Sequence, residues 1–267
     1  MPSRRKPREH QQPHVQIVYS SKLETPYVPT YVSTEQISQL HERVALQPAY
    51  FGKNRNITAT LERYKDVGAF QTHKGDYGRL LCMLDFVEWT QSRRIGSPDS
   101  VLVLYMPELE LQFLRPRRIF HLLYKDGSGD LHYPIQLPHA VDFVLLGQTL
   151  EHVYNPFVCL KNVYDALRPG GHVFISVPYY NMLHMTPFHF YHYSPSGLAT
   201  LLESSGFTVL EMGQFGNKDY VNHILTKTVG TGAWPSVDDL RQDDGTIENE
   251  PGSVSQVWAL AVKSASA

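Results

Sequence analysis

The sequence predicts an α/β protein built on a mostly parallel sheet with helices on both faces. Short apolar runs of strand length recur at 101–104, 119–123, 141–146, 172–177 and 207–212, and a last one closes the chain at 257–262. Such runs suit strands buried on both faces. Segments with helical spacing separate them, and alternation of this kind implies crossover connections.

The elements follow in order. Residues 15–32 interleave Val15, Ile17, Tyr19, Tyr27, Val28, Pro29 and Tyr31, which suits an extended arm lying on a surface. Ser33 or Thr34 caps a helix carrying Ile37, Leu40 and Val44, ended by Pro48. Residues 56–67 and 76–94 read as helices, the second closing on Arg93 and Arg94, where cations suit the helix dipole. Gly96-Ser97-Pro98 then breaks the chain before the first buried strand. Pro156 starts the clearest helix, and Pro169-Gly170-Gly171 stops it. Ser194-Pro195 opens another, which Gly206 ends. The predicted division is therefore a basic, then extended, poorly ordered arm over 1–32, a helical extension over 33–95, and the α/β domain over 96–263 with a loop at 230–252.

Composition removes several functions. Hydrophobic residues make up 42% of the 267 residues and charged residues 19%, enough for a sizeable core. Lys+Arg 24 against Asp+Glu 26 gives a net charge of -2, which excludes a chain-wide polycation for nucleic acid. No apolar run reaches the roughly 18–20 residues of a membrane span. Cys82 and Cys159 are too few for a disulfide scaffold and read as core residues of a protein kept reduced. Arg4, Arg5, Lys6 and Arg8 precede no apolar stretch, so no secretory signal is expected. The expected compartment is cytoplasmic, with nuclear import through the basic end as the alternative.

Residues 137–217 resemble the second half of class I S-adenosylmethionine-dependent methyltransferases of the type 11 kind. The resemblance rests on Leu137-Pro138, VDFVLLGQTLEHVYNP (141–156), ALRPGGHVFISVP (166–178) and HFYHYSPSGLATLLESSGFTVLEMGQFGN (189–217), with VWALAVK (257–263) as the closing antiparallel strand. It implies a Rossmann-like fold, S-adenosylmethionine as cofactor, and a crevice at the carboxyl rim of the sheet. It also implies that the backbone at Gly147 and Gln148 runs beside the methionine end of that cofactor.

The chain departs from the family at three landmarks. The family's Gly-rich turn corresponds to VLVLYMPELEL (101–111), which has no glycine; Tyr105, Met106 and Pro107 fill the turn. Tyr and Met side chains there occupy cofactor space, and Pro107 lacks a backbone donor. The acidic residue that meets the ribose has no counterpart in 119–123, the first carboxylates being Asp126 and Asp130. The acidic residue near the adenine is replaced by Tyr133. Tyr105 and Tyr133 serve as stacking surfaces if the cofactor binds in an unusual way. Gly75 and Gly78 offer another turn, but no convincing strand precedes them.

For catalysis the candidates are His152, His189 and His192. His189 and His192 cluster with His184 among Tyr179, Tyr180, Tyr191 and Tyr193. Histidines in this loop line the acceptor pocket in the family, and His152 or His189 is placed to take an acceptor proton. Nothing beyond histidine spacing argues for metal, so none is expected. Two readings remain. The first is methyl transfer to an O, N or C nucleophile of a small-molecule or glycan-like acceptor. The second is an inactive methyltransferase fold acting as scaffold or partner subunit through a protein partner.

Overall fold

The computed structural model describes residues 13–23, 25, 32–45, 55–56, 62, 77–104, 108–123, 129–184, 188–228 and 246–264. Its centre is an eight-stranded sheet. In chain order the strands are β1 (His14–Ser20), β3 (Ser100–Val103), β4 (Arg118–Leu122), β5 (Ile135–Gln136), β6 (Val141–Gly147), β7 (Leu167–Pro178), β8 (Phe207–Phe215) and β10 (Gln256–Lys263). Their order across the sheet is β5-β1-β4-β3-β6-β7-β10-β8. The pairs β1·β4, β4·β3, β3·β6 and β6·β7 are parallel, whereas β10 is antiparallel to both β7 and β8. The expected closing antiparallel strand is thus present, lodged between two strands that precede it in the chain.

The helices are α1 (Thr34–Ala45), α2 (Tyr77–Ser92), α3 (Glu108–Leu114), α4 (Pro156–Ala166), α5 (Pro195–Ser204) and α6 (Lys218–His223). Their ends follow the local chemistry. Ser33 and Gln36 cap α1 reciprocally, each side chain accepting from the other's backbone N–H. Asn155, Ser194 and Asn217 each accept from a first-turn N–H at α4, α5 and α6. Gly206 ends α5 at φ +92, a conformation that costs glycine little.

Strand alternation separates two cores. Leu102, Val144, Leu146, Val257 and Ala259 pack with α4 and α5 residues such as Leu160, Val163, Leu198 and Leu202. Their neighbours Val101, Val103, Phe143, Leu145, Trp258 and Leu260 face the other way, onto α2. In α2 the run Leu80–Leu84 is buried without a break, so the helix is enclosed along this stretch. Its one buried acid near the middle, Asp85, accepts from Trp258 Nε1 at 2.9 Å.

Asp142 ties the amino ends of the strands together. Its carboxylate accepts from the Ser100 N–H at 2.8 Å, from Ser100 Oγ at 3.0 Å and from Arg168 Nε at 2.5 Å. Partial burial pushes this acid up, but the bonds from Arg168 and Ser100 outweigh it and hold it below the ordinary value.

Several expectations are corrected. The arm over 1–32 contains an ordered strand: β1 inserts between β4 and β5, with Val18 buried and Val15, Ile17 and Tyr19 exposed. Val, Ile and Tyr are good strand formers, and β4 offers them an unpaired edge. Residues 1–12 and 26–31 of that arm lie outside the described residues. The Pro169-Gly170-Gly171 stop does end α4, yet those residues already belong to β7. A Cβ on Gly171 would stand 2.9 Å from the Arg168 carbonyl, so only glycine fits that irregular strand start. Of the helix expected over 56–67, only Asn56 and Glu62 are described. Arg55–Asn56 (β2) pairs with Thr246–Ile247 (β9). The 230–245 part of the expected 230–252 loop lies outside the described residues. Among the described residues no helix is long and apolar enough to cross a membrane.

Candidate active site at the carboxyl rim of the sheet

Strand β6 delivers Gly147 to the rim, paired with Ser176 of β7. The next residue, Gln148, turns the chain with φ +47, a left-handed conformation uncommon outside glycine. Its N–H donates to the Ser176 carbonyl at 2.8 Å, and its Nε2 lies 3.3 Å from Ser176 Oγ. A Cβ on Gly147 would stand 3.8 Å from Arg79 Nη1, so the α2 guanidinium flanks the rim. Arg79 Nη2 pairs with Glu110 Oε1 of α3 at 2.7 Å, and the Glu110 side chain is almost wholly enclosed.

Beyond Thr149 the chain makes a single 3-10 turn, Leu150–His152, all of it buried. Glu151 is fully enclosed, and neither carboxylate oxygen has a hydrogen-bond partner. Burial pushes this acid up to about 8. His152 Nδ1 lies 2.6 Å from the Phe188 carbonyl, and the Phe190 N–H donates to the Glu151 carbonyl at 2.7 Å. Through these two bonds the 188–190 loop is fastened to the turn.

Four imidazoles gather there. The ring centroids of His152 and His184 are 4.9 Å apart, those of His184 and His189 4.8 Å, and those of His189 and His192 4.6 Å. A carbonyl only accepts, so the contact of His189 Nε2 with the Tyr191 carbonyl at 3.1 Å places the ring proton on Nε2. Its Nδ1 then carries the lone pair, met by the His184 N–H at a long 3.4 Å. Burial first, then the neighbouring His192 and His184, lower His189 to about 4. His152 is also lowered, by burial and by His184 against the bond to Phe188. Phe188, Phe190, Tyr191 and Tyr154 stand exposed around the cluster.

A second wall comes from the turn after β4. Tyr133 is half-buried there, its N–H donating to the Asp130 carbonyl at 3.2 Å. Next to it His132 stacks on Tyr154 with centroids 3.9 Å apart, and its Nε2 accepts from the Asn155 N–H. The 130–133 turn is thereby bound to the segment that follows the rim.

The fold thus brings His152, His189 and His192 together and sets Gly147 and Gln148 at the rim. The turn that carries Tyr133 is joined to the segment after the rim through His132. Tyr105 and Pro107 lie outside the described residues, as do Gly75 and Asp126. Arg79 and Glu110 are not singled out by the sequence, because Arg79 opens a long apolar run and Glu110 follows Glu108 in a short helix. In the sequence Glu151 takes no role, and His184 stands only as a neighbour of His189 and His192. Cys82 and Cys159 are free and buried, and burial pushes both thiols up.

A mostly parallel sheet covered by helices on both faces, with a final antiparallel strand, is the class I methyltransferase architecture. Residues 81–212 match the family described as a methyltransferase domain, 132 of the 267 residues. No curated protein matches the sequence. Among solved structures, one similar chain comes from a Haloferax volcanii complex of the Trm112 activator with a methyltransferase; it is 14% identical with TM-score 0.44, covering 76% of this chain and 97% of that one. Another is Burkholderia thailandensis 1,6-didemethyltoxoflavin-N1-methyltransferase with S-adenosylhomocysteine, 12% identical with TM-score 0.44, covering 90% of this chain and 95% of that one. A third is a methyltransferase of Methanosarcina mazei, 11% identical with TM-score 0.38, covering 66% and 97%.

Proposed function

We propose that the chain transfers a methyl group from S-adenosylmethionine to an O, N or C nucleophile of a small-molecule or glycan-like acceptor. The observation that carries this is the adjacency of the Gly147–Gln148 rim to the histidine cluster, four residues further along the chain at His152. The rim fits the amino-acid end of the cofactor: Gly147 has no side chain, and Arg79 supplies a cation for a carboxylate. Tyr133 offers a flat ring for the base, and the resemblance aligns Tyr105 and Pro107 with the family's cofactor turn. The bound cofactor supplies a sulfonium methyl.

The residues of the chain do the rest. The exposed rings of Phe188, Phe190 and Tyr191 hold an acceptor with a flat or apolar face. Holding it in line with the methyl is the main source of rate. His189, with its tautomer fixed by Tyr191, takes the acceptor proton on Nδ1 once the long contact from His184 is displaced. His152 turns its free nitrogen towards Glu151 and acts as wall, and the exposed His192 stands beside His189.

A second reading has its own observation. The Arg79 guanidinium is already paired with Glu110, and VLVLYMPELEL (101–111) contains no glycine. Both favour an inactive methyltransferase fold serving as scaffold or partner subunit. Thermal melting with S-adenosylhomocysteine separates the two, because a ligand in excess over its Kd must raise Tm. A rise supports the enzyme; no shift at millimolar ligand supports the scaffold.

A further inference from the structure

Glu151 is the buried group that methyl transfer leaves unused. Its carboxylate is sealed from water, and both oxygens lack a hydrogen-bond partner. Buried acids are normally paired, bonded or bound to a metal.

Two imidazoles turn their free nitrogens to it. His152 Nδ1 lies 2.6 Å from the Phe188 carbonyl, and His184 Nδ1 lies 3.2 Å from the Met182 carbonyl. Each Nδ1 therefore carries the proton, and each Nε2 carries a lone pair. Those Nε2 atoms stand 3.8 Å and 4.0 Å from the same oxygen, Glu151 Oε1. The three donor atoms lie within 4.8 Å of one another. An outer nitrogen anchored on a carbonyl with the inner nitrogen free is how metal-binding histidines are held.

The spacing suits a small ion. Donors at bond lengths of about 2.0–2.1 Å in a tetrahedral shell stand roughly 3.3–3.4 Å apart. Closing the shell brings each imidazole about half an ångström nearer the carboxylate and draws the donor atoms, now within 4.8 Å, together by up to about an ångström, within reach of side-chain rotations. Two imidazoles and one carboxylate exclude Ca²⁺ and Mg²⁺, which take oxygen donors, and select Zn²⁺ and its first-row neighbours.

We propose that Glu151, His152 and His184 form a two-histidine, one-carboxylate site for a divalent first-row transition ion such as Zn²⁺. Three protein ligands leave a coordination position for an external oxygen or nitrogen. His189 borders it, its ring 4.8 Å from His184 and 5.7 Å from His152. The ligands were hidden in the sequence because two are adjacent and the third follows 32 residues after His152.

The test is calorimetric titration of the full chain, stripped by chelator, with ZnCl₂ and no cofactor present. Binding near one equivalent is expected, and Co²⁺ in its place should give the intense visible bands of a tetrahedral site. His184→Ala lies in a partly exposed loop, so it should keep its circular dichroism yet weaken Zn²⁺ by about 100-fold or more. Glu151→Gln, which keeps the shape of the buried group, should do the same, while His14→Ala on β1 should change nothing. No Zn²⁺ binding, or binding undiminished in both His184→Ala and Glu151→Gln, overturns the site. Failure of the chain to bind S-adenosylhomocysteine leaves this result untouched.

Discussion

Arg79 and Glu110 close an ion pair of 2.7 Å across the rim, joining α2 to α3 beside Gly147. Glu110 Oε2 has no hydrogen-bond partner, so the pair depends on one oxygen. Under the proposed function, Glu110 competes with the cofactor carboxylate for Arg79.

Glu110→Gln should therefore act in two opposed directions. Breaking an enclosed pair should lower stability by about 3 kcal/mol, read by urea denaturation. The released Arg79 should bind S-adenosylhomocysteine roughly tenfold more tightly by calorimetry, a gain of about 1.4 kcal/mol. Weaker binding in the variant would show that Glu110 supports the pocket instead of competing for it.

His189→Ala should lower kcat about 10²–10⁴-fold for an acceptor that must lose a proton. Affinity for S-adenosylhomocysteine should stay the same, since the rim residues are untouched. A kcat within a factor of two of the parent would remove His189 from the proton transfer.

Gly213 of β8 faces the Trp258–Asp85 bond, and a Cβ there would come within 2.0 Å of Trp258 Nε1. Gly213→Ala should cost about 1–3 kcal/mol and lower Tm, because a rigid indole in a packed core has nowhere to go. An unchanged Tm would mean that β8 shifts freely against β10.

Asp142 governs the acid limb of stability. Its folded pKa lies below its unfolded one, so the stabilisation is full above the unfolded value of about 3.9 and is lost as pH falls through the folded value. Asp142→Asn should be less stable than the parent at pH 6, and the gap should close as the solution is taken below about pH 3. A gap that is constant with pH would assign the effect to hydrogen bonding alone.

Which elements were readable follows from the range of the forces involved. Helices α4 and α5 could be placed to within two residues, because Pro, Ser and Gly act on their own neighbours. The strands at 101–104, 141–146 and 257–262 could be found because double burial makes them apolar runs, broken only by Asp142. The fate of the arm could not, since Val15 and Ile17 look the same on a surface as on a sheet edge. The site divides in the same way. The Gly147–Gln148 rim sits at the end of a recognisable strand, whereas the Arg79–Glu110 pair joins residues 31 positions apart on different helices.

By itself the sequence determined an alternating α/β chain, its closing antiparallel strand and the rim where chemistry is to be sought. These depend on periodicity and on turn residues that act locally. Only the tertiary structure decided that β1 enters the sheet, that Glu110 faces Arg79, and that His152 and His184 aim their free nitrogens at one sealed carboxylate. Such convergence depends on how loops close over the sheet edge, and closure is set by packing between distant segments rather than by any local pattern.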